Sequence, residues 1–409
     1  MKVLFTSLFV LITFMSFASL KAQDKNWFNI YGFIMTDAGY DANRIDPDWF
    51  DVVRPTKLPA YKGEYGTDGN IYYSARQTRF GVQSGVQTGL GELFTQFEWE
   101  LFGTGVDAGQ TTIRLRHAYG QLGHFGVGQY WSPFMDIDVF PNSVEYWGPN
   151  GMAFFRNIQV RWMPIMGDTR LTFALERPGG SADGGTYAGY TQLEDVSARF
   201  PVPDFSAEYR SAQEWGYVEL AGIIRYVKWE DAGLLDNIDL SGDDIGWGFN
   251  LSSNIHLNED NLLRLSVLYG EGVENYMNDA TVDVAIETDS SSGEITIKGI
   301  ALPVFGAVAF FEHQWNEKFS STIGWSMLSI YNSNAQNFDA FHLGNYALGN
   351  VIYYPVPDVM MACELQWGMR DNFNNLTNEN AYPETYLKDA NIFKVQFSFK
   401  YNFSHKVFF

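Results

Sequence analysis

Hydrophobic and polar residues alternate with a period of two along most of this chain. Near the C-terminus, the segment NIFKVQFSFKYNF places Phe393, Phe397 and Tyr401 on one face and Lys394 and Gln396 on the other. Successive side chains of a β-strand point to opposite sides, so such a strand has one apolar and one polar surface. A strand of a β-sandwich gives a similar pattern, with its apolar face against a second sheet.

The connections favour a barrel over a sandwich, because short and long connections alternate. Short connections comprise residues 89–92, 123–126, 165–168, 213–216, 258–260, 316–318 and 357–358. Longer polar segments lie near residues 42–70, 105–110, 135–151, 178–202, 230–242, 277–295, 333–341 and 374–390. About sixteen strands fit between these breaks, which is typical of outer-membrane barrels. We therefore predict an all-β fold, a transmembrane antiparallel β-barrel of about 16 strands with short periplasmic turns and long extracellular loops.

The first 22 residues, MKVLFTSLFVLITFMSFASLKA, predict export from the cytoplasm. Lys2 precedes an apolar stretch, and small residues near Ala22 offer a cleavage site. The apolar stretch is short for a membrane span, which needs about 20 residues. We therefore assign residues 1–22 to a signal peptide and residues 23–409 to a single outer-membrane β-barrel domain of a Gram-negative bacterium.

The composition agrees with a protein surrounded by lipid. Aromatic residues make up 17% of the chain and charged residues only 18%, whereas an ordinary soluble domain has about 25% charged residues. The additional aromatic residues suit a lipid-facing surface with aromatic girdles. The single cysteine, Cys363, excludes a disulfide framework, and the net charge of −21 argues against nucleic-acid binding.

In a barrel the polar face of each strand lines the lumen, and here that face is rich in arginine and carboxylate. The segment TTIRLRHAYGQLG puts Arg114 and Arg116 toward the lumen, with His117 and Tyr119 on the lipid side. By the same alternation, the predicted pore-lining residues are Arg79, Glu98, Glu100, Arg114, Arg116, Arg161, Arg210 and Arg225.

Rows of arginine favour small anions, because the planar guanidinium binds carboxylates through two bonds and stays charged at any physiological pH. An alternative stays open for each arginine. Arg–Glu pairs on neighbouring strands can satisfy one another and simply stiffen the wall.

The third outside loop, residues 132–156, is the candidate for a constriction. Its sequence SPFMDIDVFPNSVEYWGPNGMAFFR is rich in aromatic residues, which a solvated loop would seldom use. Folding inward would bury them against the wall and narrow the lumen, with Asp136, Asp138 and Glu145 as the acidic side of the constriction. The alternative is that this loop packs on a neighbouring subunit.

Three segments carry a resemblance to a known family. QTRFGVQSGVQTGLGELFTQFEWELFG, IRLRHAYGQLGHFGVGQYWSPFMD and WGPNGMAFFRNIQVRW together resemble the DcaP-like porins, over about residues 75 to 163. The resemblance implies a homotrimer of sixteen-stranded channels with an arginine-lined pore for dicarboxylates and related anions. It adds Arg156 to the candidate pore residues, although the parity of this position matches that of lipid-facing Ile158 unless a bulge intervenes.

Two other classes of function compete with a channel. An enzyme is not expected, since the chain has no G-x-S-x-G motif, no phosphate-binding loop and no histidine pair at metal-ligand spacing. No cofactor or metal is therefore predicted. A structural or adhesive barrel plugged by its own loops is the alternative to the prediction we favour, an outer-membrane porin through which small hydrophilic anions diffuse passively.

Overall fold

Strands account for most of the described chain. The computed structural model describes residues 26–233, 238–290 and 295–409, so the predicted signal peptide lies outside the described residues. The strands in this part of the chain are β1 Trp27–Asp41, β2 Asn70–Ser74, β3 Arg79–Thr88, β4 Gly91–Phe102, β5 Thr111–Leu122, β6 Phe125–Trp131, β7 Arg156–Ile165, β8 Arg170–Glu176, β9 Ala182–Asp183, β10 Val196–Arg199, β11 Asp204–Gln213, β12 Gly216–Asp231, β13 Gly242–Asn258, β14 Asn261–Glu271, β15 Val284–Asp289, β16 Thr296–Ala301, β17 Pro303–Asn316, β18 Phe319–Ile330, β19 Phe341–Tyr353, β20 Val359–Asn372 and β21 Asp389–Phe408.

The helices in the described residues are all single short 3₁₀ turns in the loops. Their bounds are Pro47–Trp49, Pro55–Lys57, Gly105–Asp107, Ile137–Val139, Gly185–Tyr187, Thr191–Leu193, Glu274–Tyr276 and Glu379–Ala381. Within the described ranges, no helix is long and apolar enough to cross a bilayer.

Eighteen of these strands form one sheet that closes on itself. β2 and β3 both pair with β1, and β10 and β11 both pair with β12, so each couple is one wall strand interrupted by a few residues. The wall therefore has sixteen strands, all antiparallel, and the predicted 16-stranded barrel is confirmed. β1 closes the wall against β21, from the pair Trp27–Phe408 to the pair Asp41–Lys394.

Connections of two contrasting lengths lie at the two ends of the barrel, as the sequence predicted. Seven connections of two to five residues lie at the same end as Trp27 and Phe408. Eight longer connections lie at the other end and are numbered here as loops 1 to 8; their described residues are 42–69, 103–110, 132–155, 177–195, 232–233 with 238–241, 272–290 with 295–302, 331–340 and 373–388.

The two faces of the wall strands differ as the alternation predicted. On β21, Phe393 is 58% exposed on the outside, whereas its neighbour Lys394 is 1% exposed on the inside. Lys394 donates bonds to the backbone oxygens of Phe50 and Val52 in loop 1, at 2.8 and 3.1 Å. The inward polar side chain is therefore used to hold a loop inside the barrel.

Part of the barrel interior is filled by an apolar core. Val52, Val53 and Leu58 of loop 1 are fully buried, and they pack with Met152 of loop 3 and Ile392 of β21. A second cluster joins loops 3 and 6 to the inner faces of β12, β14, β17 and β18. Burying an aliphatic side chain contributes about 1.5–3 kcal/mol, so these loops are held firmly against the β12–β21 side of the wall. On the β3–β8 side, where the basic residues lie, Tyr146 of loop 3 stacks on Phe102 of β4 with ring centroids 3.9 Å apart.

Candidate pore lining and constriction

A row of charged residues crosses the inner face of β3, β4 and β5. The strand register pairs Arg79 with Glu100, and Glu100 in turn with Arg114. Glu100 is fully buried. Its carboxylate oxygens lie 2.5 Å from Arg114 Nη2 and 3.5 Å from Arg79 Nη2. The register of three adjacent strands builds this row, and the hydroxyl of Tyr146 in loop 3 joins it by donating to Glu100 and accepting from Arg114.

Both arginines of the IRLR segment lie inside the barrel, two residues apart, and β5 carries a β-bulge at the second of them. Trp99 pairs with Leu115 and Glu98 pairs with His117, which leaves Arg116 as the additional residue. Arg116 Nε donates to Glu98 at 2.6 Å, and its Nη1 donates to Glu100 at 2.6 Å.

The bulge also reverses the alternation for the rest of β5. His117 and Tyr119 were predicted to face lipid, and this was wrong, because they are only 2% and 4% exposed. His117 packs edge-on against Trp131 with ring centroids 4.8 Å apart, and Tyr119 stacks on Tyr130 at 4.4 Å. A one-residue insertion moves every later side chain to the opposite face, which simple alternation does not anticipate.

Arg156 lies at the first position of β7, where its side chain turns inward despite its parity. Its Nη2 lies 3.8 Å from Glu100, and its guanidinium sits 5.3 Å from the ring centre of Trp131. Four guanidinium groups therefore surround two carboxylates. We call this set, Arg79, Arg114, Arg116, Arg156, Glu98 and Glu100, the basic cluster. Counting these six side chains alone, it carries two positive charges in excess.

Arg161 lies inside the wall on the short-turn side of the basic cluster. Its Nε donates to Gln159 at 2.9 Å, and its Nη2 donates to the backbone oxygen of Trp131. Its guanidinium also lies 5.0 Å from the ring centre of Tyr130. No ion pair to Arg161 is found among the described residues. Its guanidinium is instead bonded to uncharged oxygens and lies against an aromatic ring.

Arg210 and Arg225 hold loops in place. Arg210 donates to Asp136 at 2.7 Å and to Asp138 at 2.5 Å, which ties loop 3 to β11. Arg225 is 2% exposed and bonds to Asp283 of loop 6 at 2.8 Å. Both guanidinium groups are largely enclosed by these partners.

The three acidic residues predicted for the constriction have different surroundings. Asp136 is buried and also accepts bonds from Tyr217 and Ser252, at 2.6 and 2.7 Å. The side chain of Asp138 stays 46% exposed. Glu145 is buried away from the basic cluster.

Glu145 and its neighbours fix the tip of loop 3 to the far wall. The side chain of Glu145 accepts bonds from the backbone nitrogens of Val53, at 3.0 Å, and Gly148. Burial, with the adjacent Glu364 carboxylate adding to it, raises the pKa of Glu145 to about 8 despite these two donors. The backbone nitrogens of Val144 and Glu145 donate to Glu364 of β20, at 3.0 and 3.2 Å. Loop 3 thus crosses the interior from β6 to β20.

Two cavities flank loop 3 along the β5–β8 wall. The outer cavity, about 350 Å³, lies toward the long loops and is lined by Arg54, Arg114 and Arg156. The inner cavity, about 320 Å³, reaches the short turn at residues 165–167 and is lined by Arg161 and Arg170 together with Asp138 and Glu208. Trp147 of loop 3 and Asn278 of loop 6 also line the outer cavity, so this cavity lies between the arginine-bearing wall and the inward-folded loops.

The family model described as DcaP outer membrane protein matches residues 18–383. The chain belongs to this family. It is accordingly a protein of the bacterial outer membrane, and the resemblance seen in three segments extends over most of its length.

Solved structures share the fold of this DcaP-family chain. The outer membrane channel DcaP of Acinetobacter baumannii matches with a TM-score of 0.73 at 18% identity, covering 94% of this chain and 100% of that one. An anion-selective porin from Comamonas acidovorans gives 0.57 at 9% identity, covering 92% and 100%. The trimer form of OmpT from Vibrio cholerae gives 0.53 at 12% identity, covering 93% and 100%. No match was found among curated proteins.

The DcaP-family fold brings in two arginines that sequence reasoning missed. Arg54 of loop 1 lies between Trp49 and Trp147, 4.1 and 4.0 Å from their ring centres, and bonds to Asp279 at 2.7 Å. Arg170 of β8 bonds to Glu208 at 3.1 Å and reaches the inner cavity. Arg54 lies in a loop without alternation, so only its contacts reveal its place. Arg170 begins a strand directly after a turn, and the alternation of β8 could have found it.

Proposed function

We propose that this outer-membrane porin passes small hydrophilic anions, of the dicarboxylate type, by passive diffusion along its β3–β8 wall. The observation that carries the proposal is that arginine lines the cavity on each side of loop 3, through Arg54, Arg114 and Arg156 outside and Arg161 and Arg170 inside. Rings of arginine in a pore favour anions. A carboxylate can move along such a wall by leaving the paired N–H groups of one guanidinium and binding those of the next.

The excess of positive charge in the basic cluster supports anions over cations as the preferred solutes. Each guanidinium about 5 Å from a passing ion changes its energy by about 0.8 kcal/mol in water. Removing two of these charges should therefore raise the energy of an anion by about 1.6 kcal/mol and lower that of a cation by as much, so the ratio of anion to cation permeability should fall at least tenfold. Pairing with Glu98 and Glu100 reduces this preference and does not cancel it, because the cluster holds four arginines.

We also propose that three copies assemble, each with its own channel. The family resemblance supports this, as does the likeness in fold to a Vibrio cholerae porin solved in a trimer form. Outer-membrane lipid then surrounds the apolar outer face of the assembly.

Single-channel recording in a planar bilayer, with the reversal potential measured under a salt gradient, tests this function. We expect conductance in steps of three and a preference for anions. The double variant Arg114→Gln with Arg156→Gln should lower the ratio of anion to cation permeability at least tenfold. Arg199→Gln, at an exposed arginine paired with Glu230, is the matched control and should leave the ratio unchanged. A preference for cations in the unaltered protein would refute the proposal.

The second candidate is a structural or adhesive barrel whose lumen is closed. The packing of loops 1, 3 and 6 inside the barrel favours it. A folded, heat-modifiable barrel that shows no conductance at all would support this candidate over the porin.

A further inference from the structure

A third cavity lies at the outer mouth of the barrel, apart from the two arginine-lined cavities. We call it the mouth cavity, and its volume is about 240 Å³. It lies between the inner face of the wall at β10 and β12 and the small sheet that β9, β15 and β16 form in loops 4 and 6. Its described lining shares no residue with the outer or the inner cavity. The mouth cavity is therefore separate from the proposed anion path.

Apolar side chains line the mouth cavity from both sheets. On the wall, Ala198 of β10 pairs with Trp229 of β12, and Trp229 and Val227 share the parity of the inward-facing side chains of β12. On the small sheet, Ile286 of β15 and Ile297 of β16 line the cavity. Water finds few hydrogen-bond partners against such side chains, so an apolar molecule that displaces it gains affinity.

The indole of Trp229 is held in a fixed position beside the mouth cavity. Its Nε1 donates to the backbone oxygen of Leu240 at 2.9 Å, so the polar atom of the ring already has a partner. Glycine at two positions lets the backbone approach the ring closely, because a Cβ on Gly242 or Gly299 would lie 2.7 or 2.4 Å from it. An indole fixed in this way offers a rigid aromatic surface on which a second aromatic ring can pack.

The charged residues in the lining already have partners. Lys228 bonds to Glu230 and Lys298 bonds to Glu287, each at 2.9 Å. The carboxylate of Asp183 accepts hydrogen bonds from loop 4 and from loop 7, at 2.8 and 2.9 Å. An ionised ligand would lose hydration here without gaining an uncommitted opposite charge. The lining therefore favours an uncharged ligand.

We propose that the mouth cavity binds a small uncharged molecule built on a single aromatic ring. An apolar protein cavity of about 150 Å³ binds benzene, so the mouth cavity has room for one ring with a small substituent. Bilayer hydrocarbon does not reach this position, because the paired strands β10, β12 and β13 separate it from the lipid-facing surface. A bound ring contacts the wall and the small sheet at once, and so it fastens loops 4 and 6 to the wall.

A label on Trp229 reports directly what enters the mouth cavity. 5-Fluorotryptophan is introduced at position 229 alone in the full-length protein, and toluene is the probe. We expect the fluorine resonance to shift and to saturate as toluene is added, whereas a shift that never saturates would overturn the inference. Cyclohexane, which lacks an aromatic ring, should bind about fivefold more weakly. Equally tight binding of cyclohexane would overturn the assignment of an aromatic ligand.

Two variants test whether the probe binds in the mouth cavity. Ala198→Trp fills the cavity and Ile297→Asn makes its lining polar, so each should weaken toluene binding about tenfold while the barrel stays folded by heat-modifiability. Arg199→Trp is the matched control, because Arg199 follows Ala198 on β10, points to the opposite face and has a side chain that is 59% exposed. It should bind toluene like the unaltered protein.

Unchanged binding in both cavity variants, or an equal loss in the control, would overturn the inference. The double variant Arg114→Gln with Arg156→Gln should leave toluene binding unchanged, because neither arginine lines the mouth cavity. The site at the mouth and the proposed anion path are thus tested separately.

Discussion

Replacing Glu100 with Gln removes the carboxylate around which the basic cluster is arranged. Glu100 is fully buried, and its oxygens lie 2.5 Å from Arg114 and 2.6 Å from Arg116. Arg79 and Arg156 follow at 3.5 and 3.8 Å. Glutamine keeps the size of the side chain, but one acceptor oxygen becomes a donor that faces guanidinium donors.

The expected cost is large for a single substitution. Removing one partner of a buried ion pair costs about 3–5 kcal/mol. The side chains of Arg79 and Arg114 remain 25% and 22% exposed, and solvent screening there lowers the cost. We therefore expect Glu100→Gln to reduce the free energy of unfolding by about 3 kcal/mol. The excess positive charge of the cluster rises from two to three, so the preference for anions should increase.

Urea titration of the barrel in lipid vesicles, followed by tryptophan fluorescence, measures the first effect, and the reversal potential measures the second. Glu230→Gln is the matched control, because Glu230 is an exposed carboxylate bonded to Arg199 and Lys228. It should change neither quantity. If Glu100→Gln is as stable as the unaltered protein, then the four guanidinium groups do not depend on this carboxylate, and our reasoning about the basic cluster is wrong.

Three further predictions concern loop 3. Arg210→Ala leaves Asp136 of loop 3 buried without its cation, which should loosen the attachment of loop 3 to β11. We therefore expect larger and noisier single-channel currents. Unchanged currents would contradict the anchoring role of Arg210. The raised pKa of Glu145, about 8 against an ordinary value of 4.5, means that the docked loop binds the proton more tightly. Docking of loop 3 should therefore be strongest below pH 4.5 and weaken as the pH rises to about 8, which the sensitivity of loop 3 to protease would measure. Glu145→Gln should abolish this pH dependence. If the pH dependence persists in that variant, Glu145 is not the group that causes it. Gly151→Ala would put a Cβ 1.9 Å from the backbone oxygen of Met327, so it should displace the loop and increase the conductance, whereas the same change at Gly349, which has open space around it, should not.

The strand pattern was predictable because alternation and turn chemistry are local. Residues 391–401 alternate so regularly that the outer and inner faces of β21 could be read directly, and the exposures of Phe393 and Lys394 agree with that reading. The alternation of short and long connections likewise follows from the closure of an even number of strands. The inward faces of Arg79 and Glu100 follow from the same local rule, and the register brings them together.

The prediction was wrong where two strands had to agree on one register. The bulge at Arg116 depends on how β4 and β5 pair, so the sequence of β5 alone could not place His117 inside the barrel. Arg156 is a second position at which local alternation predicts the wrong face. Its alternation pointed outward, and only Glu100 and Trp131, which come from other strands, explain why it points inward.

The sequence by itself determined that this chain is a sixteen-stranded outer-membrane barrel with long loops at one end and a lumen rich in arginine and carboxylate. Those properties depend on the order of polar and apolar residues along each strand, which is local information. The tertiary structure alone decided which arginines reach a cavity and which, like Arg225, are buried in ion pairs that hold a loop in place. It also decided that the wall and the small sheet enclose the mouth cavity. Both depend on the contacts between residues far apart in the chain, and the free energy of a buried charge is set by the partners that surround it.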